Sequence, residues 1–138
     1  MMSAMAQIPV GARGEIKLLV TSEVAIDFMG QENARVLATP HVVWNLEWAC
    51  HAALKPYMEE GYDSVGTEIN MKHLAATPIG MSVTFQAEVT GVDDRRVRFR
   101  VEAFDEKEKI AEGTHERFIV HVARFATRVQ AKAASRGQ

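Results

Sequence analysis

The sequence predicts an α+β domain in which one long helix is wrapped by a curved antiparallel sheet. Two observations predict it. Apolar residues recur at helical spacing over a single stretch, about residues 40–60. From Val65 onward the spacing switches to two and repeats through four segments separated by turn signals. Four half-polar strands must bury their other face, and the one long helix is the available cover. The 138 residues, 47% hydrophobic and 25% charged, are those of one ordinary globular domain. We expect residues 1–138 to form that single domain, with 1–13 and 131–138 loosely ordered.

Glu15 to Ser22, rich in branched residues after Gly11–Gly14, suits a first strand. Residues 22–39 are irregular, with a turn at Asp27–Gly30 and a short helix over Glu32–Leu37. The long helix opens at Thr39, a good N-cap residue type, followed by Pro40, which suits the first helical position. Its stripe is Val43, Leu46, Cys50, Ala53, Leu54 and Tyr57, edged by Trp44 and Trp48. Pro56 should bend or end the helix, and Gly61 closes the segment.

In the second strand Val65, Thr67, Ile69, Met71 and His73 share one parity. Val83, Phe85, Ala87 and Val89 form the inner face of the third, and Val97, Phe99, Val101 and Ala103 that of the fourth, with a hairpin turn at Asp93–Asp94. A last strand spans about Ile110 to Ala123, with Phe118, Val120 and Val122 on one face. The tail carries Arg124, Arg128, Lys132 and Arg136 and no acid, and reads as a fraying helix.

Composition narrows the function classes. A net charge of -2 provides no overall attraction to nucleic acid or to anionic membrane. The single Cys50 cannot form an internal disulfide. Met1 to Gly14 lacks the unbroken apolar stretch of a secretory signal, so we expect a cytoplasmic protein. No phosphate-cradling glycine loop, zinc-spaced Cys/His set or Gly-x-Ser-x-Gly elbow is present, which speaks against nucleotide, metal-dependent and serine hydrolysis. Arg95, Arg96, Arg98 and Arg100 read either as a solvated strand face or as a dock for a phosphorylated ligand.

Two ionisable groups interrupt the apolar pattern. Glu47 lies on or beside the helix stripe, where a carboxylate is costly unless paired; His51, four residues on, is one available partner. His73 shares the inward parity of Ile69 and Met71. A carboxylate and an imidazole converging between helix and sheet form an acid/base arrangement, which Thr39 could join from the helix N-terminus. A core histidine, a snorkelling acid and a plain N-cap are the bland readings of the same residues.

Thr39, Asn45–Cys50, Val65–Thr67, Lys72–His73 and Gly113–Arg117 resemble the hotdog-fold acyl-CoA thioesterases, closest to the fluoroacetyl-CoA thioesterase type. The resemblance runs in one order from about Gly14 to Val129. It implies a catalytic threonine, glutamate and histidine at Thr39, Glu47 and His73, with Gly66 and Arg117 as substrate-binding residues. It further implies a homodimer or higher homo-oligomer with the acyl thioester at the subunit interface. No metal or cofactor is implied beyond the coenzyme A of the substrate. Residues 22–38 depart from the pattern: they are fewer, and Phe28 is their one aromatic.

The expected reaction is hydrolysis of a small or medium acyl-CoA, with Glu47 as general base or as nucleophile. An acyl-thioester hydratase or dehydratase and a non-catalytic acyl-CoA-binding module are the alternatives the same fold allows.

Overall fold

The structure, a computed structural model, describes residues 8–137. Five antiparallel strands form one sheet in the order β1-β3-β4-β5-β2: β1 (Arg13–Leu19), β2 (Tyr62–His73), β3 (Ser82–Asp93), β4 (Arg96–Phe104) and β5 (Lys109–His121). Helix α1 (Thr39–Leu54) touches all five strands, and α2 (Val122–Ala134) follows β5 directly. This is the expected α+β arrangement of a sheet around one long helix.

Helix α1 buries Val42, Leu46, Ala49, Cys50, Ala53 and Leu54 against Val83, Phe85, Val89, Val97, Phe99 and Val101. The stripe therefore runs through Val42 rather than Val43, which is only partly buried. Its tightest approach is to β1, where a Cβ on Gly14 would collide with the Ala49 carbonyl and the Ala53 backbone, so a residue without a side chain is required. The regular helix ends at Leu54, and Pro56 sits in a 3-10 turn, Lys55–Tyr57. Trp44 and Trp48 stand out from the core, 59% and 45% exposed, edge to face at 5.9 Å.

Three expectations are corrected. Thr39 is not the N-cap: Ala38 holds that position without a side-chain cap, and Thr39 is the first helical residue. In β5 the buried series is Ala111, His115, Arg117 and Ile119, whereas Val122 is exposed and begins α2. Two polar side chains on the inner face reverse the apparent parity. In place of the short helix over Glu32–Leu37 there is a 3-10 turn, Glu32–Ala34.

At the chain ends, Ile8 and Ala12 are buried in the core and α2 continues through Ala134; residues 1–7 and 138 lie outside the described residues. Arg35 ties the segment after β1 together, donating from Nε to the Ile26 carbonyl (3.0 Å) and from Nη2 to that of Ser22 (2.8 Å).

Candidate active site

The sequence places a hydroxyl at the start of α1 and an imidazole at the end of β2, and the fold joins them. Thr39 Oγ1 lies 2.8 Å from His73 Nδ1, within hydrogen-bonding distance. Because α1 needs no cap from Thr39, the hydroxyl is free for this bond. His73 Nε2 is buried and has no hydrogen-bond partner among the described residues. Burial lowers the His73 pKa below the ordinary histidine value, which keeps the ring neutral near pH 7. Thr39 and His73 line an open hollow with Phe28, Val36, Leu37 and Leu74.

Glu47 belongs to a second hollow, between Trp44, Trp48, His51 and Arg117. Its side chain is 35% exposed, and Oε1 lies 3.7 Å from Nη1 of Arg117, whose side chain is only 8% exposed. Arg117 is held from below, with Nε donating to Ser64 Oγ (2.8 Å) and Nη2 to the Ser64 carbonyl (2.9 Å). Its Nη1 donates to His115 Nε2 at 3.2 Å. The other ring nitrogen, Nδ1, donates to the Glu68 carbonyl at 2.8 Å, and that bond fixes the tautomer. Burial, aided by the Arg117 charge, lowers the His115 pKa, consistent with a neutral acceptor ring.

Gly66 sits under the carboxylate. A Cβ there would stand 2.7 Å from Glu47 Oε1 and 3.1 Å from His115 Cε1. The register of β2 against β5 shifts between Gly66 and Glu68, so Thr67 is an extra residue bulged out of the ladder. The bulge lets Ser64 and Gly66 face α1 while Ile69, Met71 and His73 do so beyond it. Cys50, one turn from Glu47, is fully buried, and burial pushes its thiol pKa far up, so it stays protonated.

Among the residues singled out in the sequence, Glu47, Gly66 and Arg117 meet at one place and Thr39 and His73 at another. The two hollows share no lining residue. Eight residues of helix separate Thr39 from Glu47, about 12 Å along the axis. Within one chain Glu47 and His73 therefore line separate hollows, and His73 lies at the far end of β2 from Ser64. Sequence reasoning missed His115 and Ser64, which hold Arg117, and the pairing of His51 with Asp63 at 2.8 Å. Alternating polar residues at His115 and Arg117 in a strand flanked by apolar ones were the available signal.

The profile of the fluoroacetyl-CoA-specific thioesterase family matches residues 20–123. The fluoroacetyl-CoA thioesterase of Streptantibioticus cattleyicolor is 45% identical over 101 residues, 73% of each chain. The chain belongs to the fluoroacetyl-CoA-specific thioesterase family. A solved structure of a fluoroacetyl-CoA thioesterase superposes with a TM-score of 0.81 at 38% identity, covering 90% of this chain and 96% of that one. A thioesterase superfamily member from Thermus thermophilus superposes with a TM-score of 0.84 at 28% identity, covering 93% and 95%.

The fold is thus the hotdog fold and the activity acyl-CoA thioester hydrolysis, which leaves the hydratase and binding-module alternatives unfavoured. Among the described residues no group of three or more His, Cys, Asp or Glu could hold a metal, and no helix is long and apolar enough to cross a membrane.

Proposed function

We propose that this thioesterase hydrolyses a small or medium acyl-CoA with Glu47 as general base, at a site completed by Thr39 and His73 of a second copy. The observation that carries the reading is a carboxylate one-third open to water beside a buried guanidinium, with glycine backbone directly beneath. Glu47 takes a proton from water as the water attacks the thioester carbonyl. The bulge at Gly66 and Thr67 offers backbone N–H groups for the oxygen on which charge develops, and Arg117 adds a fixed positive charge nearby. The Thr39–His73 pair, with its unpartnered Nε2, supplies a donor or acceptor to the same substrate.

Two features support a homodimer. Strand β2 is an edge of the sheet, and Trp44 and Trp48 are exposed beside Glu47. A second copy covering both would close the Glu47 hollow, and the reading assigns that copy's Thr39 and His73 to it. The single free Cys50 fits a reducing cytoplasm, and Arg96, Arg98 and Arg100 are engaged by Glu116 and Glu88 as a solvated strand face.

The test is thiol release from acetyl-, butyryl-, longer acyl- and fluoroacetyl-CoA by wild type and Glu47→Ala. Turnover by wild type and its loss in the variant are expected; equal rates would sink the reading. Mixing Glu47→Ala with His73→Ala subunits should restore about one quarter of wild-type activity, because half of random dimers contain one intact composite site. No restoration would assign the three residues to one chain.

A further inference from the structure

His51 lies four residues beyond Glu47 on α1, on the same helix face, and lines the same hollow. Its Nε2 is 2.8 Å from Asp63 Oδ1, which also accepts the Ser64 N–H at 2.7 Å. A carboxylate only accepts, so Nε2 carries the proton and Asp63 is pinned in place by its own backbone. Nδ1 is left open: no hydrogen bond reaches it among the described residues. The ring is also braced edge to face against Trp48, with centroids 5.2 Å apart.

The pair is tied back to the base. Ser64, which fixes Asp63, is also the residue that grips Arg117, and Arg117 faces Glu47. An imidazole oriented by a carboxylate, with its second nitrogen unengaged, is the arrangement that holds a proton acceptor in one tautomer.

We propose that His51, held by Asp63, is a second proton-carrying group of this site. The inference rests on Glu47 as the general base. Glu47 removes a proton from the attacking water; the water oxygen bonds to the carbonyl carbon, the C–S bond breaks, and sulfur leaves with the electron pair as thiolate. The proton passes from Glu47 to Nδ1 of His51, across about one helical turn that a single water can bridge, and then to the thiolate. Nε2–H stays on Asp63 throughout, so the imidazolium formed in transit sits against a carboxylate. The charged groups around His51 are Glu47 and Lys55 on α1 and the turn after it, Glu59 and Glu60 before β2, Asp63 on β2 and Arg117 on β5. Acids outnumber bases, which favours that transient cation.

The experiment measures kcat and KM for wild type, His51→Ala, His51→Gln and Asp63→Asn, with acetyl-, butyryl- and fluoroacetyl-CoA as probes. His51→Ala should lose about 10²-fold in kcat, the usual contribution of one positioned acid–base group, with KM nearly unchanged. Added imidazole should restore part of that loss. His51→Gln should lose as much of kcat as His51→Ala, and Asp63→Asn should lose part of it, both with KM nearly unchanged.

Wild-type rates in the His51 variants would overturn the inference. So would a loss that imidazole does not rescue together with wild-type kcat in Asp63→Asn, since the pair would then be only a tether between α1 and β2. If Glu47→Gln abolishes turnover while the His51 variants are unaffected, this inference alone fails. If wild type releases no thiol from any probe, the general-base reading fails and takes this one with it.

Discussion

Thr39 Oγ1 and His73 Nδ1, 2.8 Å apart, join the first turn of α1 to the last residue of β2. The contact spans two elements and leaves the far ring nitrogen buried without a partner among the described residues. Thr39→Ala should therefore lower kcat by about tenfold, the worth of one hydrogen bond of roughly 1.4 kcal/mol, while costing little stability because no cap is lost. Thr39→Ser keeps the hydroxyl and should retain most activity. Parallel assays and thermal melts check this; a large drop in melting temperature with unchanged kcat would make the contact purely structural.

Gly66→Ala separates function from folding. The new methyl would meet Glu47 Oε1 at 2.7 Å, and that atom is the end of a flexible side chain that can swing aside. The methyl would also stand 3.1 Å from Cε1 of the buried His115, which has to give by a few tenths of an ångström, so the stability cost should be about 1 kcal/mol. Activity should fall severalfold or more, because the carboxylate leaves its place over the bulge. Urea unfolding alongside the thiol-release assay decides it.

Arg117→Met should destabilise the fold. It removes a buried cation with three polar partners and leaves Ser64 and His115 without donors. The expected loss is about 2–4 kcal/mol, the range for orphaned buried polar groups. Arg117→Lys should recover only part of this, because an ammonium cannot reach Ser64 and His115 together as the planar fork does. Unfolding free energies of the two variants test both statements.

Stability should depend on pH through two histidines, the half-buried His73 and the buried His115. Burial is the leading cause that holds both His73 and His115 below the ordinary value of 6.5. At higher pH both rings are neutral, folded or unfolded, and contribute nothing. As pH falls through about 6.5 the unfolded chain takes up protons that the folded chain refuses, so stability is lost at up to roughly 1.4 kcal/mol per pH unit for each ring. Urea unfolding between about pH 5 and 8 should show a plateau above about 7 and a decline below it. His115→Gln should flatten the decline; an unchanged slope would mean that the ring does not control it.

Much of this architecture is legible without coordinates. The 3.6 period of Leu46, Cys50, Ala53 and Leu54 and the alternation of Val83 to Val89 and Val97 to Val101 are local consequences of side-chain geometry, and burial follows them. The strand containing His115 and Arg117 is harder to read. Its inner face carries polar groups that hydrogen bonds to Ser64 and Glu68 satisfy, and those partners lie 47 to 53 residues away along the chain. The bulge at Thr67 is equally hidden, because a register shift depends on the partner strand rather than on either sequence segment.

By itself, then, the sequence determined the α+β class, the helix that carries Glu47, the strand that carries His73 and, through resemblance, the thioesterase family. These rest on local periodicity and on motifs read in order along the chain. Only the tertiary structure decided which side chains meet: Glu47 with Arg117 over Gly66, Thr39 with His73 some distance along α1, and His51 with Asp63. Hydrogen bonds and ion pairs act over a few ångströms of space, and distance along the chain does not report that separation.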